Sequence, residues 1–126
     1  MMKTPGKKIL IVDDDTRNIF ALSAVLRSKG YHCVSSGNVT DAVEVLRSVN
    51  GIGIILMDMM MPDMDGYEAI PRIKNLEDGQ KIPIIAVTAQ AMVGDRERCI
   101  AAGADGYIAK PVDVDILMTL LKQYIG

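Results

Sequence analysis

Short apolar runs alternate with longer amphipathic stretches along this chain. The runs are Lys8 to Val12, Tyr31 to Ser35, Gly53 to Met57, Pro83 to Val87 and Gly106 to Ala109, and the middle ones are nearly all Ile, Leu and Val. Continuous apolarity marks strands covered on both faces. Crossover connections produce that arrangement when they lay helices above and below a parallel sheet. Between the runs, Ile19, Leu22, Val25 and Leu26 keep helical spacing, as do Val39, Ala42, Val43 and Leu46, and again Leu117, Leu120, Leu121 and Tyr124. The pattern predicts five strand–helix repeats and an α/β fold.

The ends and weak points of the helices are also legible. Gly30 can take the left-handed conformation that closes a helix, so the first helix should end there. The third, from about Asp65, contains Pro71, whose missing N–H should kink or loosen one turn. The fourth, Gly94 to Ala102, has few apolar anchors and is expected to be the least stable element and a candidate for movement.

Composition narrows the picture. A chain of 126 residues, 49% hydrophobic and 24% charged, fits one compact domain spanning 1–126 and buries enough surface to fold without a structural metal. Its formal net charge is −2, with no basic patch, so neither direct nucleic-acid binding nor direct membrane insertion is expected. The partner should be a protein. Cys33 and Cys99 lie far apart without a CxxC or Cys/His cluster, which indicates neither a disulfide framework nor a zinc site and suggests a reduced, cytoplasmic setting.

In open parallel α/β sheets, ligands bind beyond the carboxyl ends of the strands. After the first run come Asp13, Asp14 and Asp15; after the third, Asp58; after the fourth, Thr88; after the fifth, Lys110. Carboxylates of Asp13, Asp14 and Asp58 gathered at one edge would repel unless a cation neutralised them. Magnesium, a hard ion held by oxygen ligands, suits that set, whereas nitrogen and sulfur ligands for zinc or copper are missing. With the ion in place, Asp58 is the choice for a nucleophile toward phosphorus. Lys110 would neutralise charge and Thr88 would donate a hydroxyl hydrogen bond to a phosphoryl oxygen.

The segments IVDD, LMDMMMPDMDG, VTA and GYIAKP, in this order and spacing, resemble the receiver domain of two-component response regulators over essentially the whole chain. The resemblance implies a doubly wound, flavodoxin-like sheet in the order 2-1-3-4-5. It implies that Asp58 accepts a phosphoryl group from a phosphohistidine on a histidine kinase or histidine phosphotransfer protein. Asp14 and Asp58 would hold Mg2+ directly, Asp13 through water, and the backbone carbonyl of Met60 would complete the protein ligands. Thr88 and Tyr107 would form the switch, output would leave through the fourth helix, fifth strand and fifth helix, and Lys110–Pro111 would be cis. Such a domain catalyses its own phosphorylation and dephosphorylation without being a turnover enzyme. Two positions beside the site set this chain apart within the family, and at residue 60 some relatives carry an amide. Met60 and Gln90 occupy places that govern how water reaches the phosphoryl group, and an apolar Met60 implies a longer-lived one.

Plainer readings stand beside these. Asp15, Asp63 and Asp65 read better as caps and turn residues than as ligands. Met57, Met59, Met60, Met61 and Met64 read as core and loop packing, and His32 as structural or surface. Tyr107 as simple core packing competes with the switch role. Among rival functions, a small Mg2+-dependent phosphohydrolase resembling the haloacid dehalogenases would use Asp13, but Arg17 stands where that motif wants Thr or Val. A flavin-binding module would need a hydroxyl-rich loop after the first strand. A receiver-like scaffold that is never phosphorylated would not need the full set of acids and lysine. The chain ends about where the fifth helix does, which suggests either a free-standing shuttle or a piece of a hybrid sensor kinase.

Overall fold

A computed structural model describes residues 7–62, 65–76, 81–89 and 94–125. Their elements in chain order are β1 (Lys8–Val12), α1 (Thr16–Ser28), β2 (His32–Ser36), α2 (Val39–Ser48), β3 (Ile52–Asp58), α3 (Gly66–Lys74), β4 (Ile84–Thr88), α4 (Asp95–Ala102), β5 (Gly106–Ala109) and α5 (Val114–Ile125). All strand pairings are parallel, as the apolar runs predict, and the sheet order is β2-β1-β3-β4-β5, as the resemblance implied. Among the described residues, no helix is long and apolar enough to cross a membrane.

Alternation along the buried strands splits the core in two. Leu10, Ile55, Met57, Ile84 and Ala86 face α2, α3 and α4, packing with Leu46, Ile70, Ile73 and Cys99. Ile9, Ile54, Leu56 and Ile85 face the opposite side with Leu26, Leu117 and Leu121 of α1 and α5. Each such side chain removed from water contributes about 1.5–3 kcal/mol as an upper figure. The methionines follow suit, since Met57, Met59 and Met61 are all buried in the first cluster.

Side-chain caps start most of the helices. Asp15 accepts from the Arg17 N–H at 2.9 Å, Asn38 from Asp41 at 2.8 Å, Asp65 from Glu68 at 3.1 Å and Asp113 from Asp115 at 2.9 Å. These bonds satisfy backbone donors that a helix start leaves over. Helix α1 closes as expected, with Gly30 at φ 91° and the Tyr31 N–H bonded to the Leu26 carbonyl at 3.0 Å. Helix α3 runs through the exposed Pro71 and continues to Lys74, the Asn75 N–H bonding the Pro71 carbonyl at 3.0 Å.

Helix α4 is the exception. Gly94, at φ 94°, precedes it without a side-chain cap, Gly103, at φ 113°, ends it, and its buried residues are Asp95 and Cys99. It is held to α3 by Arg98, which lies 4.4 Å over the Tyr67 ring, and by Cys99 Sγ, 3.9 Å from the Tyr67 hydroxyl. Thin packing there was expected from the sequence.

At the amino ends of β4 and β5, Asp105 ties several elements together. Its carboxylate accepts from Lys74 Nζ at 2.8 Å and the Ile84 N–H at 2.9 Å, while its carbonyl accepts from the Tyr124 hydroxyl at 2.9 Å. This end lies across the sheet from the acids.

Candidate functional site

The chain order reverses at β1, whose neighbours are β2 and β3. That reversal opens a crevice beyond the carboxyl ends of β1 and β3. Val12 pairs with Met57, so the next residue on each strand, Asp13 and Asp58, emerges side by side. Asp58 pairs with Val87, and Thr88 with Ala109, which sets Thr88 and then Lys110 along the same edge. The parallel register alone therefore gathers residues scattered over the whole sequence.

Oxygen atoms of Asp13, Asp14 and Asp58 lie within 4.8 Å of one another. Asp13 and Asp58 are buried and Asp14 is exposed, so the cluster opens to solvent on the Asp14 side. Lys110 Nζ lies 3.4 Å from Asp58 Oδ1 and 3.9 Å from Asp13 Oδ2. The Met60 N–H donates to Asp58 Oδ1 at 3.0 Å, and the Asp15 N–H to Asp13 Oδ1 at 2.8 Å. Burial pushes the Asp13 carboxyl above the usual aspartate range and the Asp58 charge adds to it, against the Asp15 N–H bond and the Lys110 ammonium. One ammonium facing three carboxylates leaves negative charge to neutralise. The donors are all hard oxygens, one acid faces solvent, and the set fits a divalent cation of the magnesium type.

Asp13, Asp14, Asp58 and Lys110 thus converge. Thr88 is buried at the end of β4, and its carbonyl accepts the Lys110 N–H at 2.8 Å. Tyr107 stands two residues before the end of β5, half-buried and packed against the α2–α3–α4 side of the core. Burial raises its phenol pKa, with Asp95 and Cys99 of α4 contributing. The Lys110–Pro111 peptide is cis, as the resemblance implied. Asp15 and Asp65 are caps and His32 is exposed, while Cys33 and Cys99 are free thiols. Asp63, Met64 and Gln90 lie outside the described residues.

Sequence reasoning missed a groove beside the acids. A cavity of about 520 Å³ runs from Asp13 and Lys110 between α1 and the β5–α5 turn, floored by Ala21, Leu22, Val25, Pro111 and Val114. Its lining comes from α1, the end of β4 and the β5–α5 turn, side chains that no single stretch of sequence brings together.

The model of the response regulator receiver domain matches residues 9–122. Sensor histidine kinase RcsC of Salmonella typhimurium is 41% identical over 116 residues, which make up 92% of this chain and 12% of RcsC. The chain therefore spans a small part of the first of its curated relatives. The polar-differentiation response regulator DivK of Brucella anthropi is 33% identical over 95% of this chain and 97% of its own length. The receiver domain of sensor histidine kinase PA1611 from Pseudomonas aeruginosa, solved with magnesium coordinated in its active-site cleft, superposes with a TM-score of 0.85. It is 40% identical, with 96% of this chain and 98% of that one covered.

Proposed function

The chain belongs to the response regulator receiver domain family, and on that premise we propose that it is a signalling switch in which Asp58 accepts a phosphoryl group from a phosphohistidine. The donor is a histidine kinase or a histidine phosphotransfer protein. The observation that carries this reading is the convergence of three carboxylates within 4.8 Å with Lys110 Nζ 3.4 Å from Asp58 Oδ1.

The Met60 N–H and Lys110 hold Asp58 Oδ1, which leaves Oδ2 to attack phosphorus. The new O–P bond forms as the P–N bond to imidazole breaks, and the departing electron pair stays on the imidazole nitrogen. Lys110 then faces the added charge, and Thr88 donates its hydroxyl to a phosphoryl oxygen. Asp14, Asp58 and the Met60 carbonyl would hold a magnesium ion, with Asp13 reaching it through water, and the ion would supply charge neutralisation for phosphoryl transfer. The apolar groove beside Asp13 and Lys110 gives the donor protein a surface against which to present its histidine. Asp13 and Asp58 are both buried, each with Oδ1 bound by a backbone N–H. Lys110 Nζ stands nearer to Asp58, at 3.4 Å against 3.9 Å for Asp13, which favours Asp58 over the phosphohydrolase reading.

In the switched state Thr88 draws toward the phosphoryl group and Tyr107 turns inward. The face of α4, β5 and α5 then changes for a downstream protein. The thin anchoring of α4 supports this route. Without an amide at residue 60, no side chain there orients an attacking water, so the phosphoryl group should be long-lived.

The test is intact mass after incubation with acetyl phosphate. One phosphoryl adduct should form with magnesium, disappear with chelator and be absent in Asp58→Asn. No adduct under any condition would leave the unphosphorylated scaffold, and catalytic loss of donor that depends on Asp13 would favour the hydrolase.

A further inference from the structure

Met60 differs sharply from the methionines around it. Met57 and Met59 are 0% exposed and Met61 6%, whereas Met60 is 52% exposed. The bond from its N–H to Asp58 Oδ1, at 3.0 Å, fixes residue 60 directly beside the phosphoacceptor carboxylate. An accessible thioether therefore stands at the rim of the acid cleft while its neighbours are sealed in the core. Thioether oxidation by peroxides follows exposure, and methionine sulfoxide is reversible by reductases. Because the Met60 side chain is outside the core, its oxidation leaves the packed sheet intact.

We propose that Met60 is an oxidative modification site that shortens the lifetime of the phosphoryl group on Asp58. This rests on the phosphoacceptor reading. Hydrogen peroxide delivers one oxygen atom to Met60 Sδ. The sulfur loses two electrons, the O–O bond breaks, and water leaves. The thioether is a weak hydrogen-bond acceptor, whereas the sulfoxide oxygen is polar and strongly accepting. It accepts a hydrogen bond from a water at the cleft rim and turns that water's oxygen toward phosphorus, the water's protons leaving with the phosphate. Attack forms a water O–P bond and breaks the P–O bond to Asp58, so the carboxylate returns and inorganic phosphate leaves. A peroxide signal thereby resets the switch without any change in the core.

The experiment treats the full chain with graded hydrogen peroxide, maps sulfoxide at each methionine by peptide mass, and follows loss of the phosphoryl adduct by intact mass. Met60 should oxidise before Met57, Met59 and Met61, and the adduct half-life should fall several-fold in step with the Met60 sulfoxide. Met60→Leu, compared with itself before and after peroxide, should show no such fall. Met60→Gln, which carries a permanent amide oxygen, should have a short half-life before any peroxide. The proposal is overturned if Met60 oxidises with no change in half-life, or if Met60→Leu responds to peroxide as strongly as wild type. Failure to form any adduct would instead overturn the phosphoacceptor reading and this proposal with it, and the unoxidised protein alone reveals that case.

Discussion

Six of the seven residues of β3 are buried, and the strand is paired on both sides by β1 and β4. Helix α4 buries two of eight, lacks a side-chain cap, and sits between two glycines in left-handed conformations. The contrast separates two jobs. Asp58 ends the enclosed strand β3, so its carboxylate is held in place in advance, which is what the proposed phosphoryl transfer needs. The element proposed to move is anchored by Cys99, Asp95 and the Arg98–Tyr67 stack, few enough contacts for a local change to shift it.

Mutations sharpen this contrast in order of size. Truncating Ile55, fully buried in β3, should cost about 2–5 kcal/mol of unfolding free energy in urea. Gly103→Ala places a side chain at φ 113°, with its Cβ 3.2 Å from Ile70 Cγ2, and should cost about 1 kcal/mol or somewhat more. Arg98→Ala removes the cation above Tyr67 and should cost about 0.5–1 kcal/mol, read most clearly as faster amide exchange within α4. Ile100→Ala, at a side chain 41% exposed, should stay within about 0.5 kcal/mol. Equal losses for Ile55→Ala and Ile100→Ala would erase the distinction between the two regions.

Removing a charge tests the acid cluster in the same spirit. Burial raises the Asp13 pKa, so its ionised form is disfavoured in the folded state. Asp13→Asn should therefore raise the melting temperature of magnesium-free protein while weakening the stabilisation that added magnesium gives. A variant that melts lower in both conditions would show that Asp13 serves folding.

The alternation of apolar runs was enough to read the sheet, because buried parallel strands leave no polar face to blur them. Strands β1 and β5 fall where the pattern put them. The bounds of β2, β3 and β4 shift by a residue for physical reasons. The Tyr31 N–H is used to close α1, and the polar residues Ser36, Asp58 and Thr88 stay on the ladder after apolarity has ended. Asp13, Asp58 and Lys110 were legible because a parallel sheet delivers every strand end to one edge. The groove beside α1, the Lys74–Asp105 pair and the Arg98–Tyr67 stack were not. Each depends on side chains from different elements meeting in space, and no period in the sequence encodes that.

The most direct measurement is hydrogen exchange, resolved by peptide, on the protein before and after phosphorylation with acetyl phosphate and magnesium. The account predicts that amides of α4 and β5 change their protection while those of β1 and β3 stay slow in both states. An adduct on Asp58 that leaves α4 and β5 exchange unchanged, or that alters α2 and β2 instead, would contradict it.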